Sequence, residues 1–309
     1  MALFNNTNGL DVLLRRRRPS LWEQFLAKPC VFLVRALYTW RQRIPSQRHS
    51  NPVSVVCVSD THNNQPVLPE GDILIHAGDL TQSGTLRELQ VQLDWLSSQP
   101  HPIKIVVAGN HDLLLDPDCD GQRPGRTAED AVADRESLRW GDIIYLENSS
   151  TTVTCGNGRQ LRVYGSPWSP SHGNWAFQYP RIRDVWRGTV PYDVDILVTH
   201  GPPKAHLDLQ GIGCQHLLRE LWRVRPRLHV FGHVHEGHGT EWLRFDDLQG
   251  IYERTVQDRG GLWNLLRAAV EFVRSMLRLP LEARCLLVNA AVVGGLRDEE
   301  RRRPIKVII

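Results

Sequence analysis

Asp60 and His62, Asp79, Asn110 and His111, His200, and His233 and His235 are the residues of this chain whose types and order could do chemistry. Each set closes a short apolar run: Val53–Val58 before Ser59-Asp60-Thr61-His62, Asp72–Ala77 before Gly78-Asp79, Ile103–Ala108 before Gly109-Asn110-His111-Asp112, Asp195–Thr199 before His200, and Leu228–Phe231 before Gly232-His233-Val234-His235. On extended chain, residues two apart project to the same side. Asp60 with His62, and His233 with His235, are therefore spaced to grip a metal ion. Singly, each has a plainer account: an Asp after a strand caps a turn, Gly-Asp is itself a turn, and a lone His is a hydrogen-bonded structural residue. Jointly they fall at five strand ends, and ligands of open α/β sheets bind outside the carboxyl ends of strands.

The apolar runs that deliver these residues are rich in Val and Ile, as buried strands are. Leu86, Leu89, Leu93 and Leu96 recur at helical spacing after the second run, and Leu217, Leu218, Leu221 and Trp222 suggest another helix. Strand–loop–helix alternation predicts an α/β protein with a mostly parallel sheet. Further strands are expected at Asp142–Leu146, Thr151–Thr154 and Leu161–Tyr164, with Asn157-Gly158 turning a hairpin between the last two. Arg284–Val293 and Ile305–Ile309 read as closing strands, and residues 116–129 as a long loop near the site. Residues 1–50 form a leader that is basic at Arg15–Arg18 and amphipathic from Trp22 to Trp40; residues 51–309 form the main domain. Within it, residues 241–282 are expected to be a helical insertion, because Leu262, Leu266, Val270, Val273 and Leu277 repeat at helical spacing.

The chain has 309 residues, 41% of them apolar, and a net charge of +3. That suits a sizeable core and carries no overall nucleic-acid signature. The arginine runs, 15–18 and 301–303, read as solvated faces or tails. Six scattered cysteines without a C-x-x-C pair fit a reducing, cytoplasmic compartment. The amphipathic stretches 20–42 and 260–279 are expected to bury each other, with a peripheral membrane or protein contact as the second reading.

The series SDTH, GD, GNHD, THGPP and GHVH resembles, in types and order, that of the calcineurin-like metallophosphoesterase superfamily. The likeness covers roughly residues 53–240 and resumes at Leu287-Val-Asn-Ala-Ala291. GSPWSP, Trp175-Ala-Phe177 and LHVFGHVHEGHG are similar to the metallophosphoesterase domain-containing proteins near the class III cyclic-nucleotide phosphodiesterases. The resemblance implies a four-layer αββα sandwich with a dimetal site at the carboxyl ends of its strands. It places Asp60, His62, Asp79 and His235 on one metal, and Asp79, Asn110, His200 and His233 on the other, with Asp79 bridging. Imidazole, carboxylate and amide ligands suit Mn, Fe, Zn or Co. It implies a phosphoric ester hydrolase, a phosphodiesterase first, acting on a small phosphodiester such as a cyclic nucleotide by metal-bridged hydroxide attack. His111 would serve the leaving oxygen, and Asp112 would either orient His111 or cap its loop. By its composition the aromatic loop with Trp168, Trp175 and Phe177 reads equally as a surface lid packed on the core or as one wall of a substrate pocket whose rings stack on a base. A phosphomonoesterase on the same core and a non-catalytic scaffold are the alternatives. No nucleic-acid polymer is expected as partner, since there is no extended basic groove signature.

Overall fold

The structure, a computed structural model, describes residues 20–42, 51–120, 127–209, 211–259, 261–277, 283–295 and 299–309. Arg15–Arg18, part of the 116–129 loop and the ends of the predicted leader lie outside the described residues. The chain divides into two compact units, residues 1–44 with 247–279, and residues 45–246 with 280–309.

The smaller unit is helical. Helices α1 (Leu21–Ala27) and α2 (Pro29–Arg41) are separate, because Pro29 at the first position of α2 starts a new helix after Lys28. The single amphipathic segment read from Trp22 to Trp40 is thus two helices.

In the larger unit, β1 (Ser54–Val58), β2 (Ile73–Ala77), helix α3 (Leu86–Ser97), β3 (Ile103–Val107), helix α4 (Ala128–Glu136) and β4 (Ile143–Tyr145) follow in order. β5 (Ser149–Thr154) and β6 (Gln160–Ser166) form the predicted hairpin, with Gly158 at φ 80° in its turn. Short strands β7 (Ser169–Pro170) and β8 (Gln178–Tyr179) bracket the aromatic loop. Then come β9 (Ile196–Thr199), helix α5 (Gln215–Val224), β10 (Leu228–Phe231) and β11 (Gly239–Arg244). Helices α6 (Asp247–Arg254) and α7 (Leu262–Leu277) belong to the helical unit, where Tyr38 of α2 stacks on Tyr252 of α6 at 3.8 Å. The chain ends with β12 (Arg284–Asn289), β13 (Val293–Gly294), β14 (Glu300–Arg301) and β15 (Ile305–Ile308).

The predicted insertion needs correcting at its start. Residues 241–244 are not helical but complete β11, which pairs antiparallel with β12 from Gly239↔Asn289 to Arg244↔Arg284. Helix begins only at Asp247.

The strands make two principal sheets rather than one. The first has the order β15-β1-β2-β3-β4 and the second β11-β12-β10-β9-β6-β5. The first has four parallel strands with one antiparallel edge, β15, and the second has four parallel strands between two antiparallel edges, β11 and β5. The cause is visible in β1, where both faces are buried. Val55 and Cys57 point between the sheets, toward Val163, Val198 and Val230. Val56 and Val58 point outward to Leu89 and Leu93 of α3. The outer face of the second sheet, with Leu197, Phe231 and Leu287, packs on Leu217, Leu218 and Leu221 of α5. Strands covered on both faces read as continuous apolar runs. The result is the αββα sandwich, with all inner parallel strands of each sheet ending on one side.

His229, at the centre of β10, is fully buried; its Nε2 lies 2.8 Å from Thr199 Oγ1. Burial pushes its pKa down to about 3. A histidine depressed in the folded state keeps its stabilising neutrality above the unfolded value near 6.5 and loses it as pH falls toward the folded value. Between these limits it contributes a loss of about 1.4 kcal/mol per pH unit. Urea titrations from pH 7 to 4 should show wild-type stability falling more steeply than that of His229→Phe, by up to one proton's worth of slope.

Candidate metal centre

The loops after β1, β2, β3, β9 and β10 bring the predicted residues together. Three sets place one donor atom from each member within 4.8 Å of the others: Asp60, His62 and His235; His62, Asp79 and His111; and Asp79, His200 and His233. His235 Nε2 lies 3.3 Å from Asp60 Oδ1 and 3.4 Å from His62 Nε2. His200 Nε2 lies 3.0 Å from Asn110 Oδ1, 3.2 Å from His233 Nδ1 and 3.3 Å from Asp79 Oδ2. The same Asp79 oxygen is 3.8 Å from His62 Nε2, so Asp79 stands between the two groups.

The backbone, not extended alternation, produces this convergence. Asp60, His62, Asp79 and His233 have φ of 53°, 43°, 53° and 66°. Left-handed backbone at a non-glycine residue costs of order 1–3 kcal/mol and persists only where its surroundings enforce it. Here they do: Asp60 N–H donates to Gly78 O, and His62 N–H to Asp79 O. His233 N–H donates to both oxygens of Asp60 at 3.0 Å, and His111 N–H to Asp79 Oδ1 at 2.7 Å. The reading of His233-x-His235 as a pair aimed at one ion is therefore corrected. The left-handed turn at His233 sends His233 to His200 and Asp79, and His235 to Asp60 and His62. Glycines make the close approach possible. A Cβ on Gly109 would meet Asp79 Oδ1 at 2.3 Å, and one on Gly232 would meet Asp60 Oδ2 at 2.0 Å.

Charge and tautomer fit a pair of cations. His200 Nδ1–H donates to Ala77 O at 2.9 Å, so in the neutral ring Nε2 presents its lone pair to Asn110, His233 and Asp79. Asp60 and Asp79 are buried, which alone would raise their pKa values. Contacts with His235 and His200 instead hold Asp60 at about 2, and His200 and His62 hold Asp79 well below the usual carboxylate range. His200 resists its own burial and is raised to about 9 by Asp79, while burial and His200 press His233 down to about 3. Two dry carboxylates surrounded by imidazole and amide donors are what a divalent cation satisfies.

The remaining predicted residues divide. His111 Nδ1–H donates to Gln82 O at 2.8 Å; its ring meets His62 edge-on at 4.7 Å and stacks on Trp175 at 4.3 Å. Asp112 does not orient His111. Its carboxylate accepts from Gly109 N, Leu80 N, Thr81 N and Thr81 Oγ1, which is loop capping. Trp168, Trp175 and Phe177 line one cleft of about 520 Å³ together with Asp116, Asp118 and Glu147. Within it Phe177 is almost wholly buried, with its N–H held by Asp116 Oδ2 at 2.6 Å, while Trp175 is exposed. Two residues escaped the sequence reading. His172, in the aromatic loop, brings its ring to 4.8 Å from His233. Arg302, assigned to a solvated run, instead donates to His235 O and pairs with Glu236 and Glu300. A histidine between Ser and Gly in a loop leading to the tryptophan was the available signal for the first; the second had none.

An αββα sandwich holding a double cluster of His, Asp and Asn at its strand ends defines a class of two-metal hydrolytic folds. The calcineurin-like phosphoesterase family model matches residues 53–237, and the chain belongs to that family. Among curated proteins it is similar to human metallophosphoesterase domain-containing protein 1, 42% identical over 205 residues, covering 60% of this chain and 61% of that protein. A UPF0046 protein of Caenorhabditis elegans is 36% identical over 199 residues, 61% of this chain and 65% of the relative. A protein of Emericella nidulans named probable rhamnogalacturonate lyase C is 46% identical over 309 residues, 97% of this chain but 29% of that protein. The chain thus spans less than two thirds of each of these relatives.

If the cluster is a metal centre, adding Mn, Zn or Co to metal-stripped protein stabilises it. At a hundredfold excess over Kd the gain is about 2.7 kcal/mol, or a melting shift of about 5–10 °C. Asp79→Ala, which removes the shared ligand, should lose most of that shift in a thermal melt.

Proposed function

We propose that this protein hydrolyses a small phosphodiester at the centre formed by Asp60, His62, Asp79 and His235 on one side and Asp79, Asn110, His200 and His233 on the other. Two divalent ions held there would supply Lewis acidity, drawing charge from a phosphoryl oxygen and making a neighbouring water more acidic. The observation that carries the reading is the convergence of these seven side chains from five strand ends beside a cleft.

The chain's own residues supply the rest. Asp79, caught between both clusters, fixes their spacing, and Asp60 is locked by the two bonds from His233 N–H. His111 holds its Nδ1 proton against Gln82 O, so Nε2 is the nitrogen free to face substrate. To protonate a leaving oxygen the ring must carry a proton on each nitrogen, with the Nδ1 proton donated to Gln82 O. Trp175 stacks on the His111 ring and holds its orientation.

The cleft supports a diester over a monoester. Among the described residues its wall carries Asp116, Asp118 and Glu147, and no Lys or Arg. Carboxylates in a cleft whose Trp175 stacks on His111 would repel a dianionic monoester more than a monoanionic diester. They also disfavour a leaving group bearing further phosphates, as in a nucleic-acid polymer. A cyclic nucleotide meets these conditions, with its base against Trp175 and its leaving ribose oxygen near His111. The lyase name of the Emericella protein is not carried over, because 71% of that protein lies outside the match and the matched part contains the phosphoesterase core.

The test is a panel on Mn-loaded protein: an aryl diester, an aryl monoester, and 2′,3′- and 3′,5′-cyclic nucleotides, with Asp79→Ala as blank. Diesters should be turned over at least about tenfold faster than the monoester, a difference of about 1.4 kcal/mol in barrier. A faster monoester reaction overturns the diester assignment, and full activity in the blank overturns the site.

His111→Ala tests the proton donor separately. Turnover should fall about 10²–10³-fold, with metal content and the metal-induced melting shift unchanged. Loss of the shift as well would make His111 a ligand alongside His62 and Asp79.

A further inference from the structure

Helix α7 (Leu262–Leu277) has more apolar surface than its own unit covers. Leu265, Ala268 and Phe272 pack with Val34, Tyr38, Leu248 and Ile251 in the core of the helical unit. Leu262, Trp263, Leu266, Val270 and Val273 are each more than half exposed. At about 100° per residue the exposed five span an arc of roughly 100°, centred about 130° away from the packed three. The helix therefore has two apolar faces, and only one is needed to hold the unit together. Helix α1 repeats the pattern, with Leu21, Trp22 and Leu26 all exposed.

The charge of the chain is divided in the same place. Residues 1–44 and 247–279 carry thirteen Lys and Arg against six Asp and Glu, a net of +7. The remaining residues carry 24 basic and 28 acidic side chains, a net of −4. On the helical wheel Arg267 and Arg274 fall at the edge of the exposed apolar arc; Arg274 is ion-paired to Glu271. Arg15–Arg18 lead into α1 in sequence.

We propose that the helical unit docks this protein on an anionic lipid surface, with the exposed face of α7 in the headgroup and acyl boundary. Apolar side chains flanked by arginines, with tryptophan among them, match that boundary, where acyl chains lie under negative headgroups. Covering the face with a second copy would bring +7 against +7, which opposes self-association. No helix among the described residues is long and apolar enough to cross a membrane, so the helix lies along the surface.

Flotation of the full chain with vesicles tests this. Vesicles of phosphatidylcholine with admixed phosphatidylserine should carry the protein up the gradient, and vesicles of phosphatidylcholine alone much less. Binding should weaken as salt is raised. The exposed double variant Leu266→Glu/Val270→Glu should bind the anionic vesicles at least about tenfold more weakly, as expected for losing burial of two apolar side chains. Its circular dichroism and its metal-induced melting shift should match wild type, which separates lost docking from lost folding. Arg267→Gln, which leaves the apolar face intact, should reduce the preference for anionic over neutral vesicles. The proposal is overturned by absence of flotation with anionic vesicles, by equal flotation with neutral ones, or by a double variant that floats like wild type. It is also overturned if light scattering shows a concentration-dependent dimer that the double variant abolishes, since the face would then belong to a second copy.

Discussion

Two ionised carboxylates, Asp60 and Asp79, are buried at 0% and 1% exposure where the two sheets meet, and the surrounding architecture is arranged to keep them there. A carboxylate removed from water without compensation neutralises or drives the structure open. Asp60 takes the backbone N–H of His233 across the sheet boundary, and Asp79 takes that of His111. Their remaining oxygen surface faces imidazoles. The low pKa of each reflects that environment winning over burial.

The sheets are joined at this spot by backbone as well. Ser59 N–H donates to Ala290 O, and Val292 N–H donates to Ser59 O, tying the end of β1 to the chain that leaves β12. Asn289, the last residue of β12, donates from Nδ2 to both Leu207 O and Val234 O, pinning the loop that carries His233 and His235. The left-handed residues are thus held from both sheets. Their conformational cost is spread over a network in which no single bond need be strong, which is how strain persists at functional sites.

Much of this was legible in the chain, for a definite reason. Strands buried on both faces cannot hide their composition, so β1, β2, β3, β9 and β10 stood out as apolar runs, and polar clusters at their ends stood out by contrast. The route by which the side chains converge was not legible. Period-two projection assumes extended backbone, and the clusters at Asp60, Asp79 and His233 turn left-handed, a choice enforced by partners more than a dozen residues away. The same limit hid Arg302. Its neighbours Arg301 and Arg303 give it the look of a solvated run, and only the position of β14 beside β13 sets it against the His235 carbonyl. The division into two sheets was carried by the family likeness alone, since strand runs do not announce which neighbours they pair with. For β11, the alternating Thr240, Trp242 and Arg244 were overshadowed by the stronger helical period that follows.

The acidic character of the larger unit bears on how a phosphate ester reaches the centre. A body of net −4 does not attract an anion at long range, and at physiological ionic strength its field is screened beyond roughly 8–10 Å. On the proposed function, attraction would have to be local, from cations held by Asp60 and Asp79 acting over a few ångströms where screening is weak. On that reading, the three carboxylates of the cleft would act on the part of the substrate that reaches past Trp175, which stacks on His111. Glu147 is itself raised by burial and by Asp116, against the opposing hydrogen bond of Tyr145 and the charge of Arg135. There a neutral leaving group would stack on Trp175 without penalty, a cationic one would gain, and an anionic one would be opposed. On the proposed function, selectivity would come from the group that leaves, while the phosphoryl group would be recognised by ions held at the Asp60–Asp79 cluster.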